Sequence, residues 1–119
     1  MSMKSYFDTT RFVLLTIDRE AKEKELEISD FHKAGYDNQR TDDVIQYLSD
    51  NNCIQYSKEK SRIIGLSNSG KGFLYCLEDD DIWEEIKKTS KQFSTPAMGI
   101  NCIAVLSQIA PQVKNRLGK

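Results

Sequence analysis

The chain has 119 residues, of which 39% are hydrophobic and 29% are charged, so it has the size of one domain and too many apolar side chains for a disordered protein. Its 17 lysines and arginines oppose 18 aspartates and glutamates, and the net charge of −1 excludes a globally basic protein that coats nucleic acid or membranes. The longest apolar run, residues 12–17, is too short to span a bilayer, and residues 1–8 lack a signal-peptide core. We therefore predict a cytoplasmic protein without a membrane partner.

The first half of the chain predicts two amphipathic helices with a short extended segment between them. Apolar side chains recur at helical spacing over residues 9–25, which predicts a helix with one buried face. Leu26 and Ile28 then alternate with polar neighbours, as in a very short strand. A second helix is predicted from about Asn38 to Asn51, and Asn52, which tolerates the left-handed conformation, is predicted to end it. The residues predicted to be buried in these helices are Thr10, Val13, Leu14, Ile17, Ala21, Thr41, Val44, Ile45 and Leu48.

A β-hairpin is predicted after the second helix. Residues 54–56 and 63–66 have the composition of short strands, and the polar run 57–61 between them is typical of an exposed, charged turn. The order of helix, short extended segment, helix and hairpin is that of a winged helix-turn-helix, in which the helix before the hairpin reads DNA and the hairpin forms the wing. The predicted fold class is therefore α+β, mainly helical: a winged helix-turn-helix with a β-hairpin wing and additional C-terminal helices.

Further helical sequence follows the hairpin up to about Phe93. Ser67 or Ser69 is predicted to cap it, because a serine hydroxyl accepts a hydrogen bond from a free backbone N–H group. The acidic residues 78–81 leave open whether this stretch forms one helix or two. The apolar stripe predicted to be buried consists of Phe73, Leu74, Leu77, Ile82, Trp83 and Ile86.

The last predicted helix begins at Pro96, because Thr95 is a preferred N-cap and proline suits the first helical position. Apolar side chains surround most of its circumference as far as Ala110, which is more apolar surface than one small domain covers easily. Pro111 is predicted to kink or restart this helix, and Gly118 is predicted to close it.

We therefore expect residues 1–93 to form a winged-helix domain and residues 94–119 to form a C-terminal helix that packs on the same domain or on a dimer partner. Large apolar side chains left in water forfeit favourable burial, which favours a symmetric homodimer through this helix. A single core built around the helix is the alternative. The candidate dimer contacts are Met98, Ile103, Leu106 and Ile109.

Two motifs extend the winged-helix interpretation. Residues 65–74 resemble the junction, roughly Leu-Thr-x-x-Gly-x-x-Phe-Leu, that ends the wing in many bacterial winged helices. Residues 78–83 resemble the Asp-Asp-x-Ile-Trp motif of a family of small, uncharacterised phage and prophage winged-helix proteins. Residues 42–54 are similar to that family's reader helix and its exit, with Asn52 in place of the commoner glycine and Cys53 in place of a larger apolar residue. The resemblance implies a winged-helix architecture and a mobile-element context, and it implies no activity or catalytic residue.

Candidate DNA contacts lie on the second helix and on the hairpin. The helical wheel points Gln39 and Gln46 to solvent together with Asp43 and Asp50, and it places Arg40 at the edge of this face. Residues 56–72 carry four basic side chains and one acidic one, which suits phosphate contacts but also suits a solvated hairpin tip. The candidate DNA contacts are Gln39, Arg40, Gln46, Lys58, Lys60 and Arg62.

Signals for catalysis are weak. Three cysteines without a CxxC pair favour buried, reduced thiols, and a single histidine, His32, predicted at a turn surface, leaves metal and triad chemistry without its commonest group. The acidic run at residues 79–81 lacks the ligand spacing of a calcium loop. Trp83 is predicted to be a core or interface anchor rather than a stacking platform. We therefore predict a protein that is not an enzyme and that uses no cofactor or metal.

Two function hypotheses remain. In the first, a homodimeric winged-helix protein binds double-stranded DNA as a small transcriptional regulator. In the second, the same fold is a non-catalytic protein-interaction module, an adaptor or inhibitor of a host protein, with the acidic face of its second helix turned to the partner. The basic hairpin favours DNA, whereas Asp43 and Asp50 favour the interaction module.

Overall fold

Helices form most of the described part of the chain, and a two-stranded antiparallel sheet accompanies them there, which confirms an α+β and mainly helical fold. The structure, a computed structural model, describes the backbone of residues 3–33, 35–59, 62–90 and 102–118, and the side chains of residues 6–33, 35–59, 62–86, 88 and 109–118. The elements are α1 (Met3–Glu20), a 3₁₀ turn (Ile28–Phe31), α2 (Asn38–Asp50), β1 (Ile54–Tyr56), β2 (Ile63–Leu66), α3 (Asn68–Glu78), α4 (Asp80–Ser90) and α5 (Cys102–Arg116).

The first helix buries the predicted face but is shifted towards the start of the chain. Val13, Leu14 and Ile17 are at most 1% exposed. The helix ends at Glu20 rather than at residue 25, because residues 22–25 are charged and exposed and have no apolar side chain to bury.

Leu26 adds a third extended segment beside the hairpin. Its N–H donates to the carbonyl of Ile63 (2.9 Å), and the N–H of Ile63 donates back to the carbonyl of Leu26 (2.8 Å). Both side chains are buried, so Leu26 is extended as predicted, whereas Ile28, which was predicted to alternate with it, begins the 3₁₀ turn. The other edge of β2 pairs with β1, with Ile54 opposite Leu66. The bridge therefore joins the segment after α1 to the hairpin.

The second helix begins and ends as its sequence predicts. The Asp37 carboxylate accepts a hydrogen bond from the N–H of Arg40 (2.8 Å) and caps the first turn. Asn52 has a φ of 58°, which is the left-handed conformation predicted for the helix stop. Thr41, Val44, Ile45 and Leu48 are buried as predicted.

We expect Asn52→Ala to lower the free energy of unfolding by about 1 kcal/mol, because a left-handed backbone strains a side chain that cannot bond locally. Asn52→Gly is the matched control and should leave stability unchanged or raise it, since glycine adopts this conformation without a Cβ clash. Urea unfolding followed by circular dichroism measures both variants. Equal losses in the two variants would show that a contact of the amide side chain, rather than the backbone conformation, stabilises this turn.

The helical stretch after the hairpin is divided into α3 and α4 at Asp79. Ser67 caps α3, since its hydroxyl accepts from the N–H of Gly70 (3.1 Å), which selects between the two predicted serines. The Asp79 carboxylate accepts from the N–H of Ile82 (3.0 Å), so this acidic side chain serves the start of α4. Ile82, Trp83 and Ile86 are buried, which confirms Trp83 as a core residue.

The last helix packs on the rest of the chain. Helix α5 contacts α1, α2, α3 and α4, and its residues Ile109, Ala110 and Val113 are buried in the shared core. The helix runs without a break through Pro111, which was predicted to kink or restart it. Gly118 follows the helix with a φ of 72°, as predicted for its closure.

One of the four candidate dimer contacts is buried in the core of the single chain. Ile109 is 8% exposed. Met98 lies outside the described residues, and so do the side chains of Ile103 and Leu106, whose backbone belongs to α5. The homodimer therefore stays a prediction. Within the described part of the chain, no helix is long and apolar enough to cross a bilayer.

Candidate nucleic-acid interface

The outer face of α2 carries two internal hydrogen bonds between side chains. The Gln39 amide donates to the carboxylate of Asp43 (3.0 Å), and the Gln46 amide donates to the carboxylate of Asp50 (2.8 Å). Both glutamines are exposed, as the helical wheel predicts. One of the two N–H groups of each glutamine amide is thus donated to a neighbouring carboxylate, and the carboxylate and carbonyl oxygens make the face rich in acceptors.

Arg40 is directed away from this outer face. Its guanidinium lies over the ring of Tyr6 in α1, 5.5 Å from the ring centroid, and the residue is half-buried. Helix α2 therefore places its predicted basic contact against α1, while Asp43 and Asp50 lie with the exposed glutamines.

The basic residues of the hairpin differ in their surroundings. Arg62 forms an ion pair with Glu27 (3.0 Å), in which both side chains are about half exposed. Lys58 is exposed and lines, with Arg62, a recess of about 300 Å³ that also contains Glu25 and Glu59. Lys60 lies outside the described residues. The structure thus brings Lys58 and Arg62 together, away from the outer face of α2.

A second recess joins the end of α2 to the hairpin, and we call it the α2–β1 groove. Its volume is about 700 Å³, and Lys58 stands at its hairpin end. Sequence reasoning missed the groove because it is formed by three separate segments, none of which carries a pattern for it. The lining residues are Ile28, Ser49, Asn52, Ile54, Tyr56, Ser57 and Lys58.

His32 and Cys53 are used within the fold. The His32 ring bonds the carboxylate of Asp42 (2.7 Å) and is exposed at the end of the 3₁₀ turn, as predicted. Cys53 is buried, and burial raises the pKa of its thiol, which disfavours the reactive thiolate. Among the described residues, no group of three or more histidine, cysteine or acidic side chains could hold a metal ion.

A recess of about 750 Å³ lies along α1 beside Tyr36 and Trp83. Arg11, the arginine nearest its aromatic wall, donates to the carbonyl of Leu77 (2.9 Å) and lies 5.1 Å from the centre of a Trp83 ring. Phe12 stacks on Tyr36 with ring centres 4.0 Å apart. These contacts hold α1 against α3, α4 and the loop before α2.

Comparison with known proteins finds no match to the chain: no family model, no curated protein and no solved structure. The resemblance to phage winged-helix proteins therefore stays a prediction. Function has to be argued from the hairpin, the α2–β1 groove and the outer face of α2.

Proposed function

We propose that the chain is a non-enzymatic winged-helix protein that binds double-stranded DNA and regulates transcription. The winged-helix interpretation is supported by the bridge between Leu26 and Ile63, which sets a third extended segment beside a hairpin that directly follows α2. The observation that carries the proposal is the pair of exposed basic side chains on the hairpin, Lys58 and Arg62, of which Lys58 also lines the α2–β1 groove beside the end of α2. Lys58 suits a contact with a backbone phosphate, and Arg62 would exchange its ion pair with Glu27 for such a contact.

We expect the triple variant Lys58→Ala, Lys60→Ala and Arg62→Ala to lose about tenfold or more in affinity for duplex DNA. Each lost phosphate contact also reduces the slope of log affinity against log salt by about 1. Binding to a mixed-sequence duplex at several salt concentrations measures both effects. The matched control is a triple alanine variant on α4 and α5, at Lys88, Lys114 and Arg116, which removes the same charge elsewhere.

The control should keep the wild-type slope. An equal loss in both triple variants would show that net charge, rather than the hairpin, governs binding, and an unchanged slope in the hairpin variant would remove the hairpin as a phosphate contact.

A protein-interaction module is the second candidate function, and the outer face of α2 favours it. Asp43 and Asp50 repel phosphates, and together with the glutamine carbonyl oxygens they offer acceptors to a donor-rich partner. That partner would carry lysines or arginines, as an adaptor target or an inhibited host protein could. Absence of binding to any duplex at low salt would replace the DNA proposal with this one.

A further inference from the structure

We propose that the α2–β1 groove holds the sugar-phosphate backbone of DNA, so that the protein binds duplexes largely without regard to sequence. The inference rests on the proposed DNA-binding function and deepens it. Under this proposal, the neutral hydrogen-bond donors and the single lysine of the groove contact the DNA. The outer face of α2 then does not read bases.

The chemistry of the groove suits a phosphodiester. Among the described residues that line it, none carries a carboxylate, and Lys58 supplies an ammonium group. The hydroxyls of Ser49, Tyr56 and Ser57 and the amide of Asn52 supply neutral donors. Contacts from hydroxyl, amide and lysine side chains to phosphate oxygens are those that position proteins on DNA without reading its bases.

Ser57 supplies an independent sign of a missing partner. Its hydroxyl oxygen is buried and has no hydrogen-bond partner in the part of the chain that the structure describes. The backbone N–H of Ser57 donates to the carbonyl of Arg62 (2.9 Å), which fixes the residue at the base of the hairpin. Ser57 lines both the groove and the recess that contains Glu25 and Glu59, and the proposal requires its hydroxyl to rotate into the groove and donate a hydrogen bond to a phosphate oxygen.

The apolar residues of the groove favour a nucleic-acid strand over a free anion. Ile28 is 51% exposed, and the side chain of Ile54 lies at the same groove. A deoxyribose ring offers apolar surface to such side chains, whereas an inorganic phosphate ion offers none.

The outer face of α2 is poorly suited to reading bases in the major groove. A bidentate contact to adenine uses one amide N–H and the carbonyl oxygen of a glutamine, and in both Gln39 and Gln46 one of the two amide N–H groups is already donated to a carboxylate. The carboxylates of Asp43 and Asp50 also repel the phosphates that flank the major groove of DNA.

The test compares Ser57→Ala, Tyr56→Phe and Lys58→Ala with the wild type on two duplexes of equal length and unrelated sequence. We expect Lys58→Ala to weaken binding about tenfold and to reduce the salt slope by about 1. Ser57→Ala and Tyr56→Phe should weaken binding about threefold with the slope unchanged, since they remove a donor but no charge. Each factor should be the same for both duplexes.

Thermal unfolding separates binding from folding. Ser57→Ala removes an unpaired buried hydroxyl, so its melting temperature should equal or exceed that of the wild type even though it binds more weakly. If Ser57→Ala lowers the melting temperature and binds DNA as the wild type does, the hydroxyl has a structural role and the groove proposal is wrong.

The remaining outcomes separate the groove from the proposed function. If the groove variants bind normally while Gln39→Ala and Gln46→Ala weaken binding to one duplex only, DNA binding stands and the groove proposal fails. If inorganic phosphate raises the melting temperature of the wild type above that in sodium chloride of equal ionic strength, and the groove variants abolish this rise while they bind both duplexes normally, the groove holds a free anion and the strand assignment is wrong. If the wild type binds neither duplex at low salt, the proposed function itself fails.

Discussion

Gly70→Ala is expected to destabilise the protein by about 3 kcal/mol or more. A Cβ at this position would lie 2.2 Å from the carbonyl oxygen of Cys53 and 3.2 Å from the Cβ of Leu66. The obstacle is backbone, so it cannot move aside as the end of a flexible side chain would. Relief requires α3 to separate from the turn after α2, and that separation removes buried contacts on both sides.

Gly72→Ala, two residues further along α3, is the matched control. A Cβ there meets nothing within 4 Å, and alanine favours the helix over glycine by up to about 1 kcal/mol. We therefore expect a gain in stability of up to that size. Urea unfolding of both variants, followed by circular dichroism, should show changes of opposite sign in the free energy of unfolding. Equal losses of stability in the two variants would show that replacing a helix glycine is harmful in itself and that the close approach of Gly70 to Cys53 is not the cause.

The close approach of α3 to the backbone at Cys53 also explains the junction motif at residues 65–74, whose purpose the sequence alone does not show. Ser67 donates its hydroxyl proton to the carbonyl of Asn52 (2.6 Å) and accepts from the N–H of Gly70 (3.1 Å). One serine therefore ties the end of α2 to the start of α3, and Gly70 is the residue that lets the two backbones approach. The glycine of the junction motif is needed for close contact rather than for a turn.

Local signals predicted the elements well, because their causes are local. The left-handed stop at Asn52 and the two hairpin strands follow from backbone preference and side-chain alternation within a few residues. The hydrogen bonds from Gln39 to Asp43 and from Gln46 to Asp50 were also within reach of the sequence, since residues four apart share a helix face.

Features that depend on distant segments escaped sequence reasoning. Arg40 lies against Tyr6, and Arg62 pairs with Glu27, so neither charge stands where a helical wheel or a hairpin pattern alone places it. The α2–β1 groove needs the 3₁₀ turn, the end of α2 and β1 at once. Candidate contacts read from one helix or one hairpin therefore locate a surface but not the chemistry that the assembled surface presents.

Ile109→Asp is expected to cost at least about 3 kcal/mol and to yield unfolded or aggregated protein rather than a soluble monomer. Ile109 was a candidate dimer contact, yet it is 8% exposed within the single chain and belongs to the same core as Ala110 and Val113. A carboxylate placed there loses its hydration without gaining a partner. Thermal unfolding together with light scattering after size exclusion measures both the stability and the mass.

Gln112→Asp is the matched control, because Gln112 is exposed on the same helix and the change introduces the same carboxylate. It should alter stability by less than about 0.5 kcal/mol and leave the mass unchanged. A folded Ile109→Asp variant with half the mass of a dimeric wild type would reverse the assignment and place Ile109 at a contact between copies. Loss of the fold by Ile109→Asp alone would place this part of α5 in the core of one chain, and any dimer would then have to form through another surface.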